Sequence, residues 1–96
     1  MVKALADTFH PLRVILFGSR ARGDARPDSD YDFLVIAETP LAPIERMFVA
    51  RKALWGLRVS ADVFVLTPGE AELLSQRVGS VAAAASTEGR VLYEAA

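Results

Sequence analysis

The sequence predicts one small α/β domain, and three observations carry the prediction. Three short runs rich in β-branched and aromatic residues, "RVILF" at 13–17, "YDFLVIA" at 31–37 and "RVSADVFVL" at 58–66, have the length and composition of strands. Stretches with apolar residues at helical spacing lie around them, in the order β-loop-β-α-β-α. Glycines and prolines fall at the joints, and no linker, repeat or low-complexity segment divides the 96 residues. A chain of that length supports one core, so 1–96 is taken as one domain.

Each element has its own local reason. Val2, Leu5, Ala6 and Phe9 recur at helical spacing, and Pro11 ends that helix. The strand at 13–17 stops at Gly18. Residues 18–30 lack apolar periodicity and contain Gly18, Gly23 and Pro27, which reads as a functional loop with a short helix opening at Ser19. The strand at 31–37 is apolar on both faces beyond Asp32, which predicts a central place in the sheet. Pro40 and Pro43 precede "IERMFVARKALW", where Ile44, Met47, Phe48, Leu54 and Trp55 are expected to form a buried stripe. Glu45, Arg46, Arg51 and Lys52 are then expected to face water, and Gly56 to end the helix. The third strand carries Asp62 in its middle. Thr67 as N-cap, Pro68 at N1 and Glu70 at N3 open the next helix, whose continuity into the alanine-rich 81–85 Gly79 puts in question. "GRVLYE" at 89–94 reads as an edge strand. His10, Trp55 and Tyr93 are read as structural.

Composition excludes several classes of function. Hydrophobic residues at 52% with 24% charged describe a soluble globular chain. A net charge of −1 supplies no basic field for a nucleic-acid backbone, so DNA or RNA binding is not expected. The absence of cysteine excludes disulfides, thiolate zinc sites and cysteine nucleophiles. No signal-peptide core or apolar run of about 18 residues is present, so no membrane contact is expected and the expected location is cytoplasmic.

The chemistry concentrates in "FGSRARGDARPDSDYDF", 17–33. "GSRARG" has the spacing that opens a Walker A loop, but Asp24-Ala25 stands where Lys-Ser/Thr is required; a dinucleotide fingerprint fails because residue 20 is Arg. What survives is a glycine-serine strand exit that frees backbone N–H groups for phosphate, with Ser19 and Arg20 or Arg22 as further donors. The competing reading makes Gly18 and Gly23 turn residues and Ser19 an N-cap. "DSDYDF" starts like an EF-hand loop, yet Phe33 and Thr39 stand where Gly and Glu are needed. In a strand, residues i and i+2 share a face, so Asp30 and Asp32 can converge on a cation pair. Asp62 is disfavoured within a strand and needs a partner; if its strand lies beside 31–37, it completes a three-carboxylate cluster.

Gly18, Ser19, Ala21, Arg22, Gly23, Ser29, Asp30, Asp32 and Asp62 together resemble the signature of the minimal nucleotidyltransferases of the DNA polymerase β-like superfamily, and no position departs from it. The resemblance spans nearly the whole chain. It implies an α+β fold with a short mixed sheet and helices packed on one side. It implies Asp30, Asp32 and Asp62 as catalytic residues and as ligands of two Mg²⁺ ions, with Mn²⁺ an alternative. Ser19 and the Gly18 backbone would grip the phosphates of ATP, and Arg22 would contact phosphate or brace the loop; Arg20 stays unassigned. The implied reaction moves AMP from ATP to a hydroxyl, typically a tyrosine of a partner HEPN toxin with which the chain forms a hetero-oligomer as antitoxin. A non-catalytic antitoxin that masks its partner, and transfer to a small molecule, remain as alternatives.

Overall fold

The computed structural model describes residues 1–95. Helix α1 (Val2–Phe9) leads into strand β1 (Arg13–Phe17), the short helix α2 (Ser19–Arg22) and strand β2 (Tyr31–Ile36). Helix α3 (Pro43–Ala53), strand β3 (Ala61–Leu66), helices α4 (Pro68–Ser75) and α5 (Val81–Glu88) and strand β4 (Arg90–Glu94) follow. The strands form one mixed sheet in the order β3-β2-β1-β4. β1 runs antiparallel to β2 and to β4, whereas β2 and β3 are parallel.

The two central strands are the two runs that are apolar on both faces. Alternation along them sends Val14, Leu16, Phe33 and Val35 to one side, against Leu5 of α1 and Ala50 of α3. Ile15, Phe17 and Leu34 go to the other side, against Ala85 of α5. Each fully buried side chain of this size contributes about 1.5–3 kcal/mol, so neither face of β1 or β2 can be left wet. Helices therefore cover both faces of the sheet, and not one side as the resemblance implied. Among the described residues no helix is long and apolar enough to cross a membrane.

Helix α3 departs most from its sequence reading. Ile44, Met47 and Phe48 point outward and are exposed, and Trp55, expected in the core, is 84% exposed beyond the end of the helix. The residue turned inward, with Ala50, is Arg46, only 6% exposed. Its Nε donates to Leu41 O at 2.8 Å, and its Nη1 donates to Val65 O at 3.2 Å and to Glu70 Oε1 at 2.7 Å. Glu70 is at the same time the N3 residue of the α4 capping box, accepting from Thr67 N while Thr67 Oγ1 accepts from Glu70 N. The Thr67 N–H and the Arg46 guanidinium hold the Glu70 carboxyl below its ordinary pKa. Arg46 thus ties α3, β3 and α4 together, a task that needs a forked cation and outweighs the preference of arginine for water.

The smaller expectations are met. α1 ends before Pro11, with His10 as its left-handed C-cap at φ 48°. Thr67 and Pro68 start α4 as read, and Gly79 separates it from α5, which Ser80 caps through Ala83 N. β4 lies at the sheet edge, where Tyr93 is exposed.

Candidate active site

The end of β1 and the starts of β2 and β3 meet at one end of the sheet, because β1 is antiparallel to β2 and β2 parallel to β3. Register then places Phe17 beside Asp32, and Asp32 beside Asp62. Both carboxylates share the face that carries Phe17 and Phe64, whose ring centroids are 6.0 Å apart. Asp30 stands one residue before β2. The conditional reading that brought Asp62 next to Asp32 is realised, but its premise is altered: β3 is an edge strand beginning at Ala61, and Asp62 is exposed rather than buried. A groove of about 460 Å³ between α3 and β3 reaches Asp62, with Met47, Leu54, Val59 and Phe64 among its walls.

Above Asp32 the chain turns at Gly18, which has φ 74° and ψ −160°, a conformation open essentially only to glycine. A Cβ there would collide with Asp32 Oδ2. Gly18, not Ser19, is the N-cap of α2, so the Ser19 hydroxyl is not committed to capping that helix. The two arginines have different neighbours. Arg20 donates through Nε and Nη2 to Ser29 O at 3.2 and 2.8 Å and through Nη2 to Pro27 O at 3.2 Å, while its guanidinium lies 4.5 Å over the Tyr31 ring. It pins the turn just ahead of Asp30. Arg22 donates through Nη1 to both carboxylate oxygens of Glu88, at 3.2 and 3.0 Å, and through Nε to Asp24 Oδ2 at 3.2 Å. Of the two roles left open for Arg22, bracing the loop is the one these contacts perform.

Glu88 was not singled out from sequence. It is the last residue of α5, and an acid there opposes the negative end of the helix dipole. That unfavourable placement was the available signal that it serves a specific cation.

Electrostatics at the strand ends are unfavourable for the bare protein. Desolvation, then the charges of Asp62 and Asp30, push the Asp32 carboxyl above its ordinary pKa, with Arg22 opposing and Glu88 adding to the rise. Among the described residues no three or more histidine, aspartate or glutamate side chains are gathered so as to hold a metal ion, so the three-carboxylate cluster expected of Asp30, Asp32 and Asp62 is not formed; Asp32 and Asp62 alone stand side by side. The donors at this end of the sheet are all carboxylate oxygens, crowded enough to raise one pKa. That is the partial set magnesium takes when nucleotide phosphates supply the remaining ligands.

The nucleotidyltransferase domain family matches residues 1–86. The chain belongs to that family. No curated protein matches it. Among solved structures this nucleotidyltransferase domain is similar to a chain of a toxin–antitoxin complex with AMP-PNP, at 26% identity and a TM-score of 0.70, covering 98% of this chain and 70% of that one. A MntA–HpeT toxin–antitoxin mutant matches at 25% identity and a TM-score of 0.67, over 98% and 70% of the two chains. A complex of tri-AMPylated HEPN toxin with MNT antitoxin from Shewanella oneidensis matches at 27% identity and a TM-score of 0.58, over 98% and 66%.

The close approach of Gly18 to Asp32 makes a local prediction for this nucleotidyltransferase domain. Gly18→Ala is expected to lose about 2 kcal/mol of stability through the positive φ and the displaced carboxylate. Gly23→Ala, at a positive φ but with open space around it, is expected to lose less. Thermal melts of both variants check the order.

Proposed function

We propose that the protein transfers AMP from ATP to a tyrosine hydroxyl of a partner HEPN-type toxin, which it thereby neutralises as an antitoxin. The observation that carries this reading is the in-register pair Asp32 and Asp62 at the strand ends, with Gly18 pressed on Asp32. Asp30 and Asp32 are the residues that would hold Mg²⁺ or Mn²⁺, with Asp62 completing the set on the acceptor side. The bound ions would supply charge neutralisation on the attacking and leaving oxygens.

The chain's own groups bind and orient. The Ser19 hydroxyl and the backbone N–H groups beyond Gly18 would receive the β- and γ-phosphates; the Gly18 N–H itself, expected to grip phosphate, donates instead to Glu88 Oε1 at 3.1 Å. Arg20 keeps the turn before Asp30 in place through its three bonds to Pro27 and Ser29. The acceptor oxygen forms a bond to the α-phosphorus as the bond to the β-phosphate oxygen breaks. Pyrophosphate leaves with that electron pair, and the hydroxyl proton passes to solvent, to which Asp62 is open. The relatives found in toxin–antitoxin complexes, one with an AMP-PNP nucleotide and one with a tri-AMPylated HEPN toxin, support the donor and acceptor assigned here.

Incubation with α-labelled ATP, Mg²⁺ and the cognate toxin tests the proposal. Label on a toxin tyrosine, lost when the metal is chelated, is the expected result. Protection of cells without label transfer would instead identify a masking antitoxin, and label captured by a small molecule without any protein would move the acceptor to another class.

A further inference from the structure

We propose that Glu88 is a positioning residue of the nucleotide site: from the end of α5 it holds the Gly18 N–H and the Arg22 guanidinium, and so keeps the phosphate-facing loop seated over Asp32. This deepens the nucleotidyltransfer reading and rests on it. One carboxylate joins two points of the loop. Gly18 N donates to Glu88 Oε1 at 3.1 Å, and Arg22 Nη1 reaches Oε1 and Oε2 at 3.2 and 3.0 Å. These bonds span sequence separations of 70 and 66 residues, whereas within the loop Asp24 reaches only the Nε side of Arg22 and leaves the Gly18 N–H untouched.

The support beneath Glu88 comes from both sides. Ala82 and Ala85 bury α5 against the sheet. The next residue, Gly89, lies so close that a Cβ on it would collide with Ala85 O and Ile15 Cγ2. Beyond it β4 pairs with β1, the strand that ends in the Gly18 turn. Glu88 is thus referenced to the same strand as the loop it holds. A carboxylate on the loop's N–H invites a second interpretation, in which Glu88 stands in for phosphate and must be displaced by ATP. The second partner speaks against it: Arg22 Nη1 is shared between both Glu88 oxygens, and if Glu88 let go it would leave a cation that Asp24 alone then neutralises.

Two variants separate these interpretations: Glu88→Ala, and Glu88→Gln, which keeps an acceptor for the Gly18 N–H. In nucleotide-free protein, amide hydrogen exchange at Gly18 should lose protection in Glu88→Ala and retain most of it in Glu88→Gln. Mg²⁺-ATP affinity by calorimetry should weaken roughly tenfold to a hundredfold in Glu88→Ala, with substantial rescue by Glu88→Gln. In the transfer assay the same loss should appear in kcat/KM, beyond any change in folded fraction measured by thermal melts. Tighter ATP binding or a lower KM in Glu88→Ala would overturn the proposal in favour of the phosphate stand-in. Unchanged affinity with Gly18 protection lost would overturn it in favour of a purely structural tie. If no protein, wild type included, labels the toxin, the acceptor assignment fails while the exchange and ATP-binding results still decide the role of Glu88.

Discussion

Asp32→Asn is expected to abolish transfer while making the metal-free protein more stable near neutral pH. On the proposed metal-dependent reaction, a pair of divalent ions would contribute several kcal/mol to the transition state of an in-line displacement, so losing the Asp32 carboxylate should lower the rate at least about a thousandfold. The stability change has the opposite sign. The Asp32 carboxyl is raised above its ordinary pKa in the folded protein, by desolvation first and then by Asp62 and Asp30. The unfolded chain therefore ionises more readily than the folded one. The penalty is absent below the ordinary carboxylate value of about 3.9, grows as pH rises through the raised folded value, and is complete above it. Asparagine removes the charge and hence the penalty. Thermal melts in chelator should show the variant above wild type near neutral pH, with the gap closing as the pH falls towards about 3.9. Wild-type turnover in the variant would overturn the metal assignment.

Arg46→Ala is expected to be the most damaging of these substitutions for the fold, although the sequence gives the position no catalytic meaning. Truncation leaves Leu41 O and Val65 O without their donor and opens space under α3. It also separates Glu70 from its cation, but that carboxylate is 39% exposed and can turn to water. A pair buried at both ends would lose about 3–5 kcal/mol; with one end partly solvated, about 2–4 kcal/mol is expected, chiefly from the orphaned carbonyls and lost packing. In a domain of this size that lowers Tm by roughly 10–25 °C. Glu70 is held below its ordinary pKa, so its share is present above the ordinary carboxylate range and is lost as pH falls through the lowered folded value. The difference between wild type and variant should therefore narrow in acid. Melts across pH check both the size and the trend, and a Tm loss that grew in acid would sink the account.

Much of the molecule is legible because the signals are local. The strand at 13–17 ends at its glycine, the capping box at Thr67 and Glu70 forms as read, and the apolar doubling of 31–37 does mark a central strand. The condition that the strand of Asp62 lies beside 31–37 is met, but the register that sets Asp62 against Asp32 and leaves Asp30 apart is a tertiary fact. The failures share a cause. Periodicity along α3 shows that apolar residues cluster, but not which side meets the sheet. A small Ala50 that allows close approach and an Arg46 with three acceptors on neighbouring elements decide that, and both are tertiary facts. Asp62 was given a burial cost that an edge strand does not impose. Glu88 was missed because its partners lie some seventy residues away, and only its misfit with the helix dipole was visible beforehand.

The placement of β4 beside β1 has a consequence for the order in which the molecule assembles. Phe17 finds Asp32 across a short loop, whereas Leu16 must wait for Arg90. Closing that roughly fivefold longer loop costs about 1.4 kcal/mol more in chain entropy. All five residues of β4 are exposed, so little burial rewards its arrival. The pairing of β1 with β2 that sets Asp32 beside Phe17 can therefore form early, while the last stretch docks late and opens first when the chain breathes. With β4 open, the end of α5 loses one of its two anchors, and the grip of Glu88 on Gly18 and Arg22 loosens while the carboxylates stay in place. Competence would then arrive only with the final pairing, as a kinetic checkpoint written into strand order.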